Sequence, residues 1–135
     1  MRRMVLTLAL AAMIPLTACD RSPSGPAAEV SGTYALETVN GDELPFTLAA
    51  DGDGSVEVME GSIRFMTDGT FEDRLVVRFT EGETHEDEEE TLTGTYVVNG
   101  RIVTMSYASG GSSQVLVEGD RLTQTVNTFT LVYRR

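Results

Sequence analysis

The chain has 135 residues and a formal net charge of −11, with one cysteine and one histidine. So acidic a balance excludes a protein built around phosphate contacts, and no nucleic-acid partner is expected. A lone cysteine excludes an internal disulfide, and a lone histidine excludes any metal site or catalytic constellation that needs two.

The first eighteen residues read as an export signal. Arg2 and Arg3 supply a basic start, and Leu6, Leu8, Leu10, Met13 and Ile14 carry an apolar run. The run is shorter than the roughly 20 residues that span a bilayer, and Pro15 interrupts it as a helix. Leu16-Thr17-Ala18-Cys19 then resembles the lipobox of bacterial lipoprotein precursors. That resemblance implies cleavage after Ala18, lipid on the Cys19 sulfur and acylation of the new amino terminus. A membrane partner through lipidated Cys19 and a place in the bacterial cell envelope follow from it, since several acyl chains hold stably where one does not. Removing residues 1–18, with their two arginines and no acid, makes the mature chain two charges more negative than the −11 of the precursor. Residues 19–29 are rich in Pro, Gly, Ser and Ala and read as a lipidated cysteine with a flexible tether. Residues 30–135 are left as one small folded domain, expected to be a monomer.

From residue 32 the pattern is β. Residues 32–39 are rich in β-branched and aromatic side chains and meet the turn pair Asn40-Gly41. Residues 44–50 form a weaker run, with Pro45 suited to an edge or a strand start. Residues 56–66 follow the turn Asp51-Gly52-Asp53-Gly54 and predict a long strand bulged or bent near Gly61. Asp68-Gly69 is a strong hairpin signal. Residues 70–80 alternate cleanly: Phe71, Leu75, Val77 and Phe79 share one face with Asp73, and Glu72, Arg74 and Arg78 share the other. Residues 81–90 hold seven carboxylates and read as a solvated, mobile loop. Strands are expected again over 91–98, 101–108, 113–118, 121–126 and 129–134, separated by Asn99-Gly100, Ser109-Gly110-Gly111-Ser112 and Gly119-Asp120. After the signal no segment carries a helical period. Eight or nine strands joined by tight turns make an all-β meander, best closed as a small up-and-down antiparallel barrel, with a two-sheet β-sandwich as the alternative.

Gly32-Thr33-Tyr34 opens the first strand and is similar to the Gly-x-Trp motif that opens lipocalin and related calycin barrels, with Tyr in place of Trp. The chain ends Leu131-Val132-Tyr133-Arg134-Arg135. Calycins carry a basic residue near the end of the last strand, so the resemblance implies a closure of Gly32, Tyr34 and Arg134, with the guanidinium over the ring. The domain also resembles the lipocalin-like domains of bacterial lipoproteins.

A small barrel is either filled by side chains or holds one small ligand. If it is hollow, Tyr34, Leu36, Phe65, Phe71, Phe79, Tyr96, Tyr107 and Phe129 are its candidate wall, and otherwise they are core. The acidic run of Glu81, Glu83, Glu86, Asp87, Glu88, Glu89 and Glu90 suits a basic protein partner, or weakly a divalent cation. Asp51-Gly52-Asp53-Gly54-Ser55 starts like a calcium loop but fails the template at Val56 and Ser62. His85 sits among carboxylates, no Gly-x-Ser-x-Gly elbow occurs, and no cofactor, metal site or catalytic residue is indicated. Two readings remain. One is a non-catalytic binder of a small apolar ligand. The other is an acidic interaction module, such as an inhibitor of a cationic envelope enzyme.

Overall fold

The structure is a computed structural model that describes residues 25–135. Cys19 and the signal segment lie outside the described residues. A short helix, α1 (Pro26–Val30), precedes ten strands: β1 (Gly32–Val39), β2 (Asp42–Glu43), β3 (Phe46–Ala50), β4 (Gly54–Phe65), β5 (Thr70–Glu81), β6 (Thr84–Asn99), β7 (Ile102–Tyr107), β8 (Ser112–Glu118), β9 (Arg121–Val126) and β10 (Phe129–Arg134). The strands hydrogen-bond in the order β2-β1-β10-β9-β8-β7-β6-β5-β4-β3, and β1 also pairs with β4. That last pairing closes an eight-stranded antiparallel barrel, with β2 and β3 as additions beside the seam. The meander barrel is therefore correct, and the sandwich is not formed.

Closure uses the lower half of β1. Gly32 to Ala35 pair with Phe65 to Ser62 of β4, while Ala35 to Val39 pair with Arg134 to Leu131 of β10. The tight turns behave as their residues dictate. Asn40 and Gly41 both take positive φ, 53° and 88°, as a two-residue hairpin turn requires. The bulge in β4 falls at the register shift between Val58 and Glu60. Gly61 serves another purpose: a Cβ there would lie 2.9 Å from Leu36 Cδ2, so the glycine admits that side chain to the core. A side chain at Gly94 would likewise strike the Ser106 carbonyl and the ring of Phe71.

Two expectations are corrected. Residues 26–29, expected as the end of the tether, belong to α1, begun by Pro26, whose missing N–H suits a first helical position. The helix packs across one end of the barrel, where the Tyr34 hydroxyl donates to the Val30 carbonyl (3.0 Å) and the Tyr96 hydroxyl lies 3.4 Å from the Ala27 carbonyl. Five residues are too few to show a helical period. The acidic run is likewise not a loop. Only Gly82 and Glu83 turn, with Gly82 at φ 58°, and Thr84 onward is strand, paired with β5 from Thr84 to Thr95. The β-branched and apolar residues of β5 supply the pairing surface that a charge count alone conceals.

Candidate functional site: a cavity at the open end of the barrel

The barrel has a filled end and an open end. At the filled end Tyr34, Phe65, Phe71 and Tyr96 are buried, and Phe65 sits 6.1, 6.5 and 4.8 Å from the rings of Tyr34, Phe71 and Tyr96. Leu36, Ile63, Met105 and Leu122 complete this core. Five of the predicted wall residues, Tyr34, Leu36, Phe65, Phe71 and Tyr96, are thus packing residues. Phe79 is neither wall nor core. It is 42% exposed, because β4, β5 and β6 run on past the barrel rim and carry it away from the interior. Tyr107 and Phe129 do line a cavity.

That cavity lies at the open end and has a volume of about 280 Å³. Its wall is aliphatic and aromatic: Val39, Val58, Leu75, Leu92, Phe129 and Leu131, with Leu48 and Val126 toward the rim. Four polar side chains reach it: Asp73, Tyr107, Gln124 and Tyr133. The Tyr107 hydroxyl donates to Asp73 Oδ2 at 2.9 Å. The Tyr133 hydroxyl donates to Gln124 Oε1 at 3.3 Å, and Gln124 Nε2 donates to Ser113 Oγ at 2.8 Å. Gln124 spans a place where β8 and β9 have stopped pairing, since their ladder ends at Val115 and Gln124. Its amide thereby ties the two strands beyond their last backbone contact.

Asp73 is the chemically unusual member. Strand alternation puts it on the inner face with Phe71 and Leu75, opposite Ile63 of β4 and Leu92 of β6. Burial raises its carboxyl pKa above the ordinary range, the bond from Tyr107 works the other way, and the Glu90 charge raises it further. Burial likewise raises the Tyr107 hydroxyl, helped by the Asp73 charge, and burial raises Tyr133. Both phenols therefore stay protonated as donors. One carboxylate held by a phenol, with a bonded phenol–amide pair sharing the same apolar wall, can orient a small molecule. The sequence placed Asp73 on the inner face without assigning it a role, and it passed over Gln124 and Tyr133. The signal for Asp73 was a carboxylate at an inward position of a well-alternating strand.

Beyond the rim, β4 to β6 form an overhang with two different faces. On its outer face Arg74 bridges Glu60 (3.2 Å) and Glu89 (2.9 Å), and Arg78 holds both oxygens of Asp87 at 2.6 and 2.9 Å. On its inner face, cross-strand partners put Glu90 beside Leu75, Glu88 beside Val77 and Glu86 beside Phe79. No arginine pairs with Glu86, Glu88 or Glu90 among the described residues.

The barrel seam is closed by a different arginine from the one expected. Phe129, Leu131 and Tyr133 occupy the inner side of β10, so Arg134 points outward and pairs with Glu37 at 3.1 Å. Arg135 continues the inner alternation and lies over Tyr34, 5.2 Å from guanidinium carbon to ring centroid. Gly32 lies beneath it, where a Cβ would approach Arg135 Cδ to 3.0 Å. The closure is Gly32, Tyr34 and Arg135.

The aspartates of the calcium-like stretch serve a turn, where Asp51 Oδ1 accepts from the N–H groups of Asp53 and Gly54, each at 2.9 Å. Among the described residues no group of three or more His, Cys, Asp or Glu could hold a metal ion, and no helix is long and apolar enough to cross a membrane. No family model matches the chain, nor does any curated protein or solved structure.

Proposed function

We propose that this chain is a lipid-anchored protein of the bacterial cell envelope, with a lipocalin-like barrel that works as a non-catalytic binding module for a small apolar ligand. The observation that carries this reading is the contrast between the two ends of the barrel. A filled aromatic core supplies stability at one end. The other end keeps an apolar cavity of about 280 Å³, near the lower bound of small-molecule sites. The polar groups within it are few and convergent, as such sites require.

The proposed anchor fits this polarity. Residue 25 enters at the filled end, six residues after Cys19, and an extended chain of that length reaches only about 20 Å. The cavity opens at the opposite end from residue 25. Native mass spectrometry on protein purified from its own host tests the binding reading, with an added small-molecule mass as the expected result. A bare chain that also fails to take up a neutral apolar fluorescent probe would overturn it. Cys19→Ser tests the anchor and should release a soluble barrel.

One observation favours a second reading, an acidic interaction module for a basic protein. β7 ends opposite Gly94, and the last bond to β6 on that side runs from the Ala108 N–H to the Thr93 carbonyl at 2.9 Å. Residues 84–92 therefore present a free strand edge bearing carboxylates. Charge on a free edge also blocks pairing between copies of the chain. A basic extended segment is the partner such an edge would admit. Calorimetric titration with a cationic wall-degrading enzyme at moderate salt should give heat if this reading holds, and none if the charge serves only protection.

A further inference from the structure

We infer that the open-end cavity takes its ligand as a cation, a small amine whose ammonium group meets Asp73 while its apolar body lies against Leu75, Phe129 and Leu131. The inference rests on the proposed binding reading and specifies the chemistry of that same site.

Asp73 has one oxygen committed and one free. Tyr107 donates to Oδ2, and among the described residues no other side chain donates to this carboxylate. No buried side-chain oxygen or nitrogen of the described residues lacks a partner, so Oδ1 is open to the cavity. An ammonium group offers three donors and a full positive charge to such an oxygen.

Among the described residues no cation lines the cavity. Arg74 is adjacent in sequence but lies on the outer face, held by Glu60 and Glu89. The polar groups that share the cavity with Asp73 are neutral: Tyr107, Gln124 and Tyr133. The further charge that acts on Asp73 is that of Glu90, which has the same sign. A carboxylate kept among Leu75, Leu92, Phe129 and Leu131 is costly unless it is paired. The bond to Tyr107 does not account for it, because a neutral amide would accept that bond equally well.

Charge then selects the ligand. An acid would meet Asp73 and Glu90 with like charge. A neutral apolar molecule would cover Oδ1 without replacing its water. An amine replaces the water with a charge-assisted hydrogen bond and buries its carbon chain against the apolar wall. The volume of about 280 Å³ restricts the body to a short alkyl chain or a single ring.

The test pairs n-hexylamine with 1-hexanol, titrated by nuclear magnetic resonance into the full chain carrying Cys19→Ser. Charged hydrogen bonds of this kind are worth about ten- to a hundredfold in affinity. The amine should bind the cavity at least about tenfold more tightly than the alcohol at neutral pH, with the shifted methyl resonances at Leu75 and Leu131. Asp73→Asn should remove most of that preference. Equal binding of amine and alcohol, unchanged in Asp73→Asn, would overturn the amine inference and leave the apolar-ligand reading standing. No shift with either compound would overturn both.

If Asp73→Asn does not fold, the wild-type ratio decides, together with its pH dependence. The groups facing Asp73 are Glu90 from β6, Tyr107 from β7, Gln124 from β9 and Tyr133 from β10, with Ile63 opposite it on β4. The tyrosines stay protonated throughout. The preference should fall on acidification as Asp73 takes up its proton, and it should still fall in Glu90→Gln, at a lower pH because the charge that helps raise the Asp73 pKa is gone. A ratio that ignores pH, or a fall abolished by Glu90→Gln, would assign the charge elsewhere.

Discussion

Arg135 lies over the ring of Tyr34 and ties the two ends of the folded domain together. Its Nη1 donates to the Ser31 carbonyl at 2.8 Å and to the Glu29 carbonyl at 3.3 Å, and its Nη2 meets Asp120 at 3.1 Å. One side chain thereby joins the start of β1, α1 and the β8–β9 turn at the filled end.

Arg135→Ala should lower stability by about 1–3 kcal/mol, through the lost cation–π contact and the carbonyls left without a donor. Arg134→Ala should cost under about 1 kcal/mol, since its partner Glu37 is a surface carboxylate. Thermal melts of both variants check the assignment. The reverse order would restore the closure through Arg134.

Phe65→Ala should cost about 3–5 kcal/mol, because it opens a cavity among three aromatic rings. Phe79→Ala should cost less, about 1–2 kcal/mol, since 42% of the residue is exposed on the overhang. Urea denaturation of the two variants separates a core position from an exposed one on the same inner alternation.

Asp73→Asn should stabilise the ligand-free protein at neutral pH. The sign follows from proton binding. Burial raises the folded carboxyl pKa above its unfolded value, so the folded state binds the proton more readily. Stability from this group is then fully present below the unfolded pKa and is lost as pH rises through the folded one. At neutral pH the charged Asp73 opposes folding, and Asn relieves it. The gain in Tm should shrink as pH falls through the folded pKa and be gone below about pH 4, where Asp73 is neutral in both states. A carboxylate kept at a cost to stability is what a ligand site leads one to expect.

Amide hydrogen exchange distinguishes a free edge strand from a loop in residues 84–92. Alternate amides should be protected where they bond to β5, and those facing the free edge should exchange fast. From Gly94 to Tyr96, where β7 covers one side and Gly69 and β5 the other, both sets should be protected. Uniformly fast exchange over 84–92 would mean that the acidic strand is not paired.

Much of the fold was legible locally. Asn40-Gly41, Asp68-Gly69, Asn99-Gly100 and Gly119-Asp120 marked turns because their backbone demands are carried by two adjacent residues. The inward faces of β5 and β10 followed from a period of two. The acidic strand was not legible, because a strand that owes its form to one neighbour need not carry a pattern of its own. Arg135 was half legible: the alternation through Leu131 and Tyr133 already pointed it inward, and motif resemblance drew attention to Arg134 instead.

The sequence by itself determined a β meander with its turns, its inward faces and an acidic segment, since each depends on residues close in the chain. Only the tertiary structure decided which inward residues fill the barrel and which border a space. Phe65 and Phe129 look alike in sequence, yet one lies at the closed seam of β1 and β4 and the other at a rim where the strands part. Whether Asp73 is an ordinary strand carboxylate or the charged floor of a cavity depends on Tyr107, Leu75, Phe129 and Leu131, brought together across strands β5, β7 and β10. That juxtaposition is set by barrel closure and register, which no local pattern encodes.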